Sequence, residues 1–233
     1  KQFVKFANDV LSTAKICCGC PQGTLSGPNN CKLMINDLRF LLSYIKYVDD
    51  TSVASMSKNP DDTSLQGALN DLTAWCALNS MRLNTAKTNE MVIYVGKKYD
   101  LSHIKSLECN DNVINRVDTF KLLGVFFNRD LTWSHHVDFI LKKAAKRIYF
   151  IYLLVKSGLK SSDVVSVYCS VIRSVLEYAS PVWHPGLTIA QSKLIEGVQK
   201  RCLKIIFPEL DYNDALFISG LEKLSVRHNC TIC

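Results

Sequence analysis

Tyr47, Val48, Asp49 and Asp50 set two adjacent carboxylates between strand-forming runs, Tyr44–Val48 on one side and Ser52–Met56 on the other. A tight turn between such runs projects both carboxylates toward one point. Hard cations such as Mg²⁺ take carboxylate oxygens together with substrate phosphates. A pair of such ions, about 3.5 to 4 Å apart, can hold the attacking and leaving oxygens of an in-line displacement. Paired Asp residues also suit an ordinary solvated turn, so the surroundings decide. Upstream stand Gly19, Cys20, Pro21, Gln22, Gly23 and Thr24, followed by Gly27 and Pro28. Glycine there lets backbone approach a ligand closely, and the Gln22 amide can both donate to and accept from a base or sugar edge.

Several elements must hold these residues in place. Gln2–Phe6 and Thr13–Cys18 are β-prone runs around Asn8 and Asp9, a hairpin pattern. Leu33, Met34, Leu38, Leu41 and Leu42 recur at three- and four-residue spacings, which predicts a helix within 25–42 starting near Pro28. A second hairpin carries the two carboxylates at its tip. Asp61–Asn79 has Leu65, Ala68, Leu69, Leu72 and Trp75 on one face and reads as an amphipathic helix. Met91–Val95, Ser106–Cys109, Val113–Val117 and Phe120–Phe127 read as short strands, with a turn at Asn110–Asn112. From Ser134 the pattern is helical, over 135–156, 161–178 and 188–206, interrupted by Gly158 and by a Pro181–Gly186 loop. The expected fold class is α+β with a boundary near residue 130.

Composition narrows the class. Of 233 residues, 48% are hydrophobic and 21% charged, the balance of a folded chain. Apolar runs stop at about eight residues, as in Ile148–Val155, well short of the roughly 20 that span a bilayer, so no membrane partner is expected. The chain opens on Lys1 without a signal-peptide pattern and reads as a piece of a longer protein. Its net charge of +7 is compatible with a polyanionic partner. The ten cysteines are irregularly spaced, and some, such as Cys169 and Cys202, fall inside helical patterns. They read as small core residues of an intracellular protein, cytoplasmic or nuclear, with no disulfide-linked partner. Two groups, Cys17, Cys18 and Cys20, and His228, Cys230 and Cys233, lack the second ligand pair of a zinc finger.

Taken in order, these motifs resemble the reverse transcriptase of non-LTR (LINE-type) retrotransposons. The resemblance rests on the Pro21-Gln22-Gly23 loop, Ile35-Asn36-Asp37-Leu38 and the Tyr47-Val48-Asp49-Asp50 tip. It continues through Trp75, Asn79, Leu83, Asn84, Lys87 and Thr88. Leu122-Leu123-Gly124-Val125 follows, with Leu131-Thr132-Trp133 and His136, and then Glu177-Tyr178-Ala179-Ser180-Pro181-Val182-Trp183. It implies a partial polymerase palm over 1–130 and a helical thumb and post-thumb region over 131–233. It further implies Mg²⁺ on Asp49 and Asp50, with Lys87 as general acid toward the departing pyrophosphate. Pro21, Gln22, Gly23 and Tyr47 would shape the nucleotide and template pocket, and Leu123 and Gly124 the primer grip. Lys142, Lys143, Lys146 and Arg147 would lie along the nucleic-acid backbone. The implied partners are an RNA template, a DNA primer and deoxynucleoside triphosphates.

Each residue also has a plainer role. Lys87 and the basic helix face suit ordinary solvation, Gly124 a strand bend, and Trp133 and Trp183 a core or loop anchor. The family's fingers and a further metal-binding Asp would precede Lys1, as would its endonuclease. The chain alone is therefore expected to be inactive, with a non-catalytic nucleic-acid-binding remnant as the alternative reading.

Overall fold

The computed structural model describes residues 5–6, 9–10, 26–59, 61–94 and 103–230. The chain forms two compact units, residues 1–88 with 100–115 and residues 89–99 with 116–233. Helices and short antiparallel strands make it an α+β protein. The change from mixed to purely helical structure falls near residue 130, whereas the units divide earlier, so the last hairpin belongs with the helices.

In the first unit, β1 (Lys5–Phe6) pairs with β2 (Asp9–Val10), Phe6 opposite Asp9. Asp9, expected in the turn, is thus a strand residue; Thr13–Cys18 lies outside the described residues. Helix α1 spans Ser26–Met34, ending well before Leu42. The segment that follows spends carbonyls on a side chain: Lys46 donates from Nζ to Ile35 O at 2.5 Å and to Leu38 O at 3.0 Å. Strands β3 (Ser43–Tyr47) and β4 (Asp50–Ala54) form the expected second hairpin. Helix α2, Ser64–Leu78, buries Ala68, Leu69 and Cys76 on the anticipated face.

The Met91–Val95 run contributes no strand over Met91–Tyr94; the ladder there is confined to β5, Asn89–Glu90, one step earlier. Strands β6 (Glu108–Cys109) and β7 (Asn112–Val113) are joined through Asn110 and Asp111, both at positive φ, 47° and 61°. Asn and Asp tolerate that region better than most residues, which fits the tight turn. The Gln66 amide clasps the β6 backbone, donating to Glu108 O at 2.7 Å and accepting from Glu108 N at 2.9 Å. A small core of Leu69, Cys109 and Ile114 with Leu83 and Leu107 sits there.

The second unit holds the larger core. Glu90 accepts from Val117 N at 2.9 Å through its carbonyl, and its carboxylate meets Arg116 of β8 (Asn115–Arg116) at 2.8 Å. The single strand expected over Phe120–Phe127 is a hairpin, β9 (Thr119–Leu122) with β10 (Val125–Asn128). Helix α3, Ser134–Lys156, buries Val137, Ile140, Ala144, Ile148 and Ile151, the three- and four-residue spacing of one apolar stripe. The stripe packs on α7 (Ile189–Ile206), which contributes Ile195, Cys202, Leu203 and Ile206. Thr188 and Gln191 close a reciprocal capping box at the start of α7.

The expected 161–178 helix is three pieces: α4 (Ser161–Val167), a π-helical stretch at Tyr168–Arg173, and α5 (Ser174–Glu177). The Pro181–Gly186 loop is instead helical, as α6 (Ser180–Trp183) with Pro181 in its first turn, then a 3₁₀ turn over His184–Gly186. Two further helices, α8 (Tyr212–Ser219) and α9 (Leu224–Cys230), lie beyond the last helix that periodicity suggested. Asp211 caps α8 by accepting from Asp214 N at 2.7 Å. Among the described residues, no helix is long and apolar enough to cross a membrane, and Cys76, Cys109, Cys169 and Cys202 are free thiols.

Candidate functional site

Tyr47 pairs with Asp50, so the β3–β4 hairpin closes over two residues, Val48 and Asp49. Val48 sits at φ 55°, a region that a β-branched side chain rarely adopts. Backbone held in this way costs roughly 1–3 kcal/mol and concentrates at functional turns. Its effect is to place the Asp49 carboxylate at the very tip, with Asp50 opening β4 beside it, both exposed to solvent. As a directly opposed pair, Tyr47 and Asp50 share one face of the hairpin. Lys46 points to the other face, where it holds the Ile35–Leu38 segment by two hydrogen bonds. The sequence reading did not single out Lys46, since a lysine in a strand gives no sign of which carbonyls it will reach.

Asp49 and Asp50 supply the hard oxygen donors that a divalent cation takes. Among the described residues, no group of three or more potential ligands surrounds them, so they fit such an ion only as part of a donor set. Pro21, Gln22 and Gly23 lie outside the described residues. Lys87 is exposed and ends a turn organised by Asn84. The Asn84 carbonyl accepts from Lys87 N at 3.1 Å and Thr88 N at 3.0 Å, and its side chain accepts from Lys87 N at 3.2 Å.

In the second unit, Leu123 and Gly124 form the tip of the β9–β10 hairpin, at φ 46° and 89°. Two consecutive left-handed residues make the turn that matches strand twist. Leucine is a poor choice for it, and a tertiary bond compensates: the Tyr178 hydroxyl donates to Leu123 O at 2.8 Å. Tyr178 also covers the tip closely, since a Cβ on Gly124 would lie 3.1 Å from its ring. Gly124→Ala should therefore destabilise the chain by about 1–3 kcal/mol, from the positive φ and the crowded ring together. Chemical denaturation of the variant measures this, and an unchanged midpoint would refute it.

Behind the tip, a cleft of about 220 Å³ is lined by Lys121, His136, Phe139, Lys143 and Tyr178. Lys121 Nζ lies 4.9 Å and Lys143 Nζ 5.9 Å from the Phe139 ring centroid, and Lys121 also lies over Phe126. His136 is buried, and its Nδ1 accepts from Phe126 N at 3.3 Å, which leaves the proton of the neutral ring on Nε2. Burial lowers the pKa of this imidazole. Trp133 and Trp183 are both buried, the anchoring role that aromatic side chains most often play.

The basic residues of α3 are not equivalent. Lys142, Lys143 and Lys146 are exposed, whereas Arg147 is half-buried and turns inward, donating from Nη1 to Val171 O in the π-helical stretch at 2.5 Å. One turn further along, the exposed rings of Tyr149 and Tyr152 stack with centroids 6.4 Å apart.

The chain thus carries a paired-Asp hairpin tip in one unit and, in the other, a Leu-Gly hairpin held by Tyr178. It belongs to the reverse transcriptase family: the model described as reverse transcriptase (RNA-dependent DNA polymerase) matches residues 1–127. Its relatives place it with the non-LTR, LINE-type branch. One is the probable RNA-directed DNA polymerase from transposon X-element of Drosophila melanogaster, 21% identical over 217 residues, covering 87% of this chain and 23% of the relative. Another is the RNA-directed DNA polymerase from mobile element jockey of the same fly, 23% identical over 186 residues, covering 74% and 20%. The chain thus spans between a fifth and a quarter of the length of these relatives. No solved structure matches it.

Proposed function

We propose that this chain is part of an RNA-directed DNA polymerase that copies an RNA template by adding deoxynucleotides to a DNA primer. The observation that carries the reading is the conjunction of the family match over 1–127 with an exposed, backbone-strained turn presenting Asp49 and Asp50. Residues 1–130 take the part of the palm and 131–233 that of the thumb and the region after it. Asp49 and Asp50 act as ligands of Mg²⁺, which supplies charge neutralisation at the transferring phosphate. Lys87, exposed beside the Asn84 turn, is the candidate proton donor to pyrophosphate, and Tyr47 the residue beneath the incoming nucleotide. Pro21, Gln22 and Gly23 belong to that nucleotide and template pocket by resemblance. Leu123 and Gly124, held from behind by Tyr178, are the candidate primer grip.

DNA synthesis on an RNA template with Mg²⁺, by a protein carrying this chain together with the upstream part of the polymerase, tests the reading. Elongated primer supports it. Absence of product from such a protein, with its fold intact, overturns it.

The backbone contact is assigned to Lys142, Lys143 and Lys146 and withheld from Arg147, whose guanidinium serves the helix packing. Replacing the three lysines by Ala should reduce the slope of log affinity against log salt by about 2 to 3, since each phosphate contact releases close to one counterion. Fluorescence anisotropy with a labelled primer–template across a salt series reads the slope. An unchanged slope would return this face to ordinary solvent exposure.

A further inference from the structure

A cavity lies where α7, α8 and the start of α9 meet. It holds about 370 Å³ and is lined by Ser192, Lys193, Glu196, Lys200, Tyr212, Asn213, Lys223 and Ser225. Ser192, Glu196 and Lys200 recur at four-residue spacing, with Lys193 beside them, so one face of α7 forms a wall. Three ammonium groups line this space. None has a hydrogen bond or a carboxylate partner among the described residues, and the one recorded contact is Lys200 Nζ over the Tyr212 ring at 5.0 Å.

The single acid does not neutralise them. Glu196 Oε1 accepts from the Tyr212 hydroxyl and Oε2 from Leu224 N at 3.0 Å, which turns its oxygens toward the protein. Among the lining residues, three lysines against one glutamate leave an excess of two positive charges. Collecting like charges is unfavourable unless an anion is there to gain from them.

The cavity is also built rather than incidental. Gln199 is fully buried and accepts from the Tyr168 hydroxyl at 2.7 Å. Its Nε2 donates to the Tyr212 hydroxyl and to Glu222 O, each at 3.0 Å. The backbone is therefore pinned at Glu222 by Gln199 and at Leu224 by Glu196, on either side of Lys223. A satisfied buried network of this kind fixes geometry. It fixes the backbone that carries the exposed Lys223 in the same lining as Lys193 and Lys200, with the hydroxyls of Ser192 and Ser225 and the Asn213 amide as further hydrogen-bonding groups.

We infer that this cavity is a phosphate-binding site, seated by Lys193, Lys200 and Lys223 and separate from the face of α3. The phosphate belongs either to the backbone of a single-stranded RNA or to a small phosphate compound; the first source rests on the polymerase reading, the second does not.

Amine-reactive labelling of the whole chain, mapped by mass spectrometry, tests it with two probes, a 15-nucleotide oligouridylate and inorganic phosphate. The expected result is a several-fold reduction in labelling at Lys193, Lys200 and Lys223 with the oligonucleotide, and none at Lys160. The triple variant K193A/K200A/K223A should then lower the salt slope of oligonucleotide binding by about 2, at roughly 0.7 per phosphate contact for single strands. The corresponding triple Arg variant should keep the slope. Shielding by inorganic phosphate with no effect of the oligonucleotide upholds the site and assigns it a small phosphate compound. Unchanged labelling with both probes overturns the inference. The phosphate arm needs no polymerase activity, so loss of template-directed synthesis and loss of this site are distinguishable.

Discussion

Asp49→Asn should lower the rate of primer extension by about 10² to 10³, measured in a protein competent for synthesis that carries this chain. The substitution keeps the shape of the side chain and removes its charge. Asp49 and Asp50 are both exposed, so the fold loses nothing by the change and the thermal midpoint should stay where it is. Asp50→Asn should behave in the same way, because the pair shares one hairpin tip, and the double variant should fall less than the product of the two singles if both act on one metal centre. Steady-state extension on an RNA template over a range of Mg²⁺ concentrations decides the matter. A variant with full activity at saturating Mg²⁺ would place the catalytic carboxylates elsewhere.

Trp183→Ala should destabilise the chain by about 3–5 kcal/mol, the usual cost of emptying a large aromatic site. Trp183 is fully buried, its Nε1 donates to Tyr178 O at 2.9 Å, and its ring lies 5.3 Å from that of His136. The loss reaches further than the cavity, because Tyr178 is the residue that holds the Leu123–Gly124 turn. Hydrogen exchange in the β9–β10 hairpin should accelerate along with global unfolding. Trp183→Phe refills most of the volume and removes one hydrogen bond, so it should cost only about 1–2 kcal/mol. A small loss for Trp183→Ala would mean that the surrounding helices collapse into the space.

The Asp-Asp hairpin was legible because its signal is local: two turn-forming carboxylates between alternating runs. The α3 helix was equally plain, its apolar stripe repeating from Val137 to Ile151. Other elements depend on partners that no local window contains. Phe120–Phe127 reads as one strand because Leu123 is no turn residue, and only the hydroxyl of Tyr178 makes its conformation tenable. Past the end of α1, the carbonyls of Ile35 and Leu38 meet Lys46, eleven and eight residues further along. The orientation of Arg147 was hidden for the same reason, since the carbonyl it satisfies belongs to Val171. In the candidate site, residue types pointed to a cation and a phosphate, whereas the strain at Val48 could be seen only in the backbone.

The π-helical stretch at Tyr168–Arg173 sets angular phase. A widened turn carries one residue more than an α-helix of the same length, and each residue of an α-helix turns the chain by about 100°. The widened turn absorbs that extra residue, so winding the same six residues as a regular α-helix would rotate everything after them by that amount. Arg173 and Glu177, paired at 3.1 Å, would turn together, and Tyr178 would swing away from the Leu123 carbonyl. The widened turn thus works as an indexing tooth that sets the direction in which the clamp on the second hairpin points.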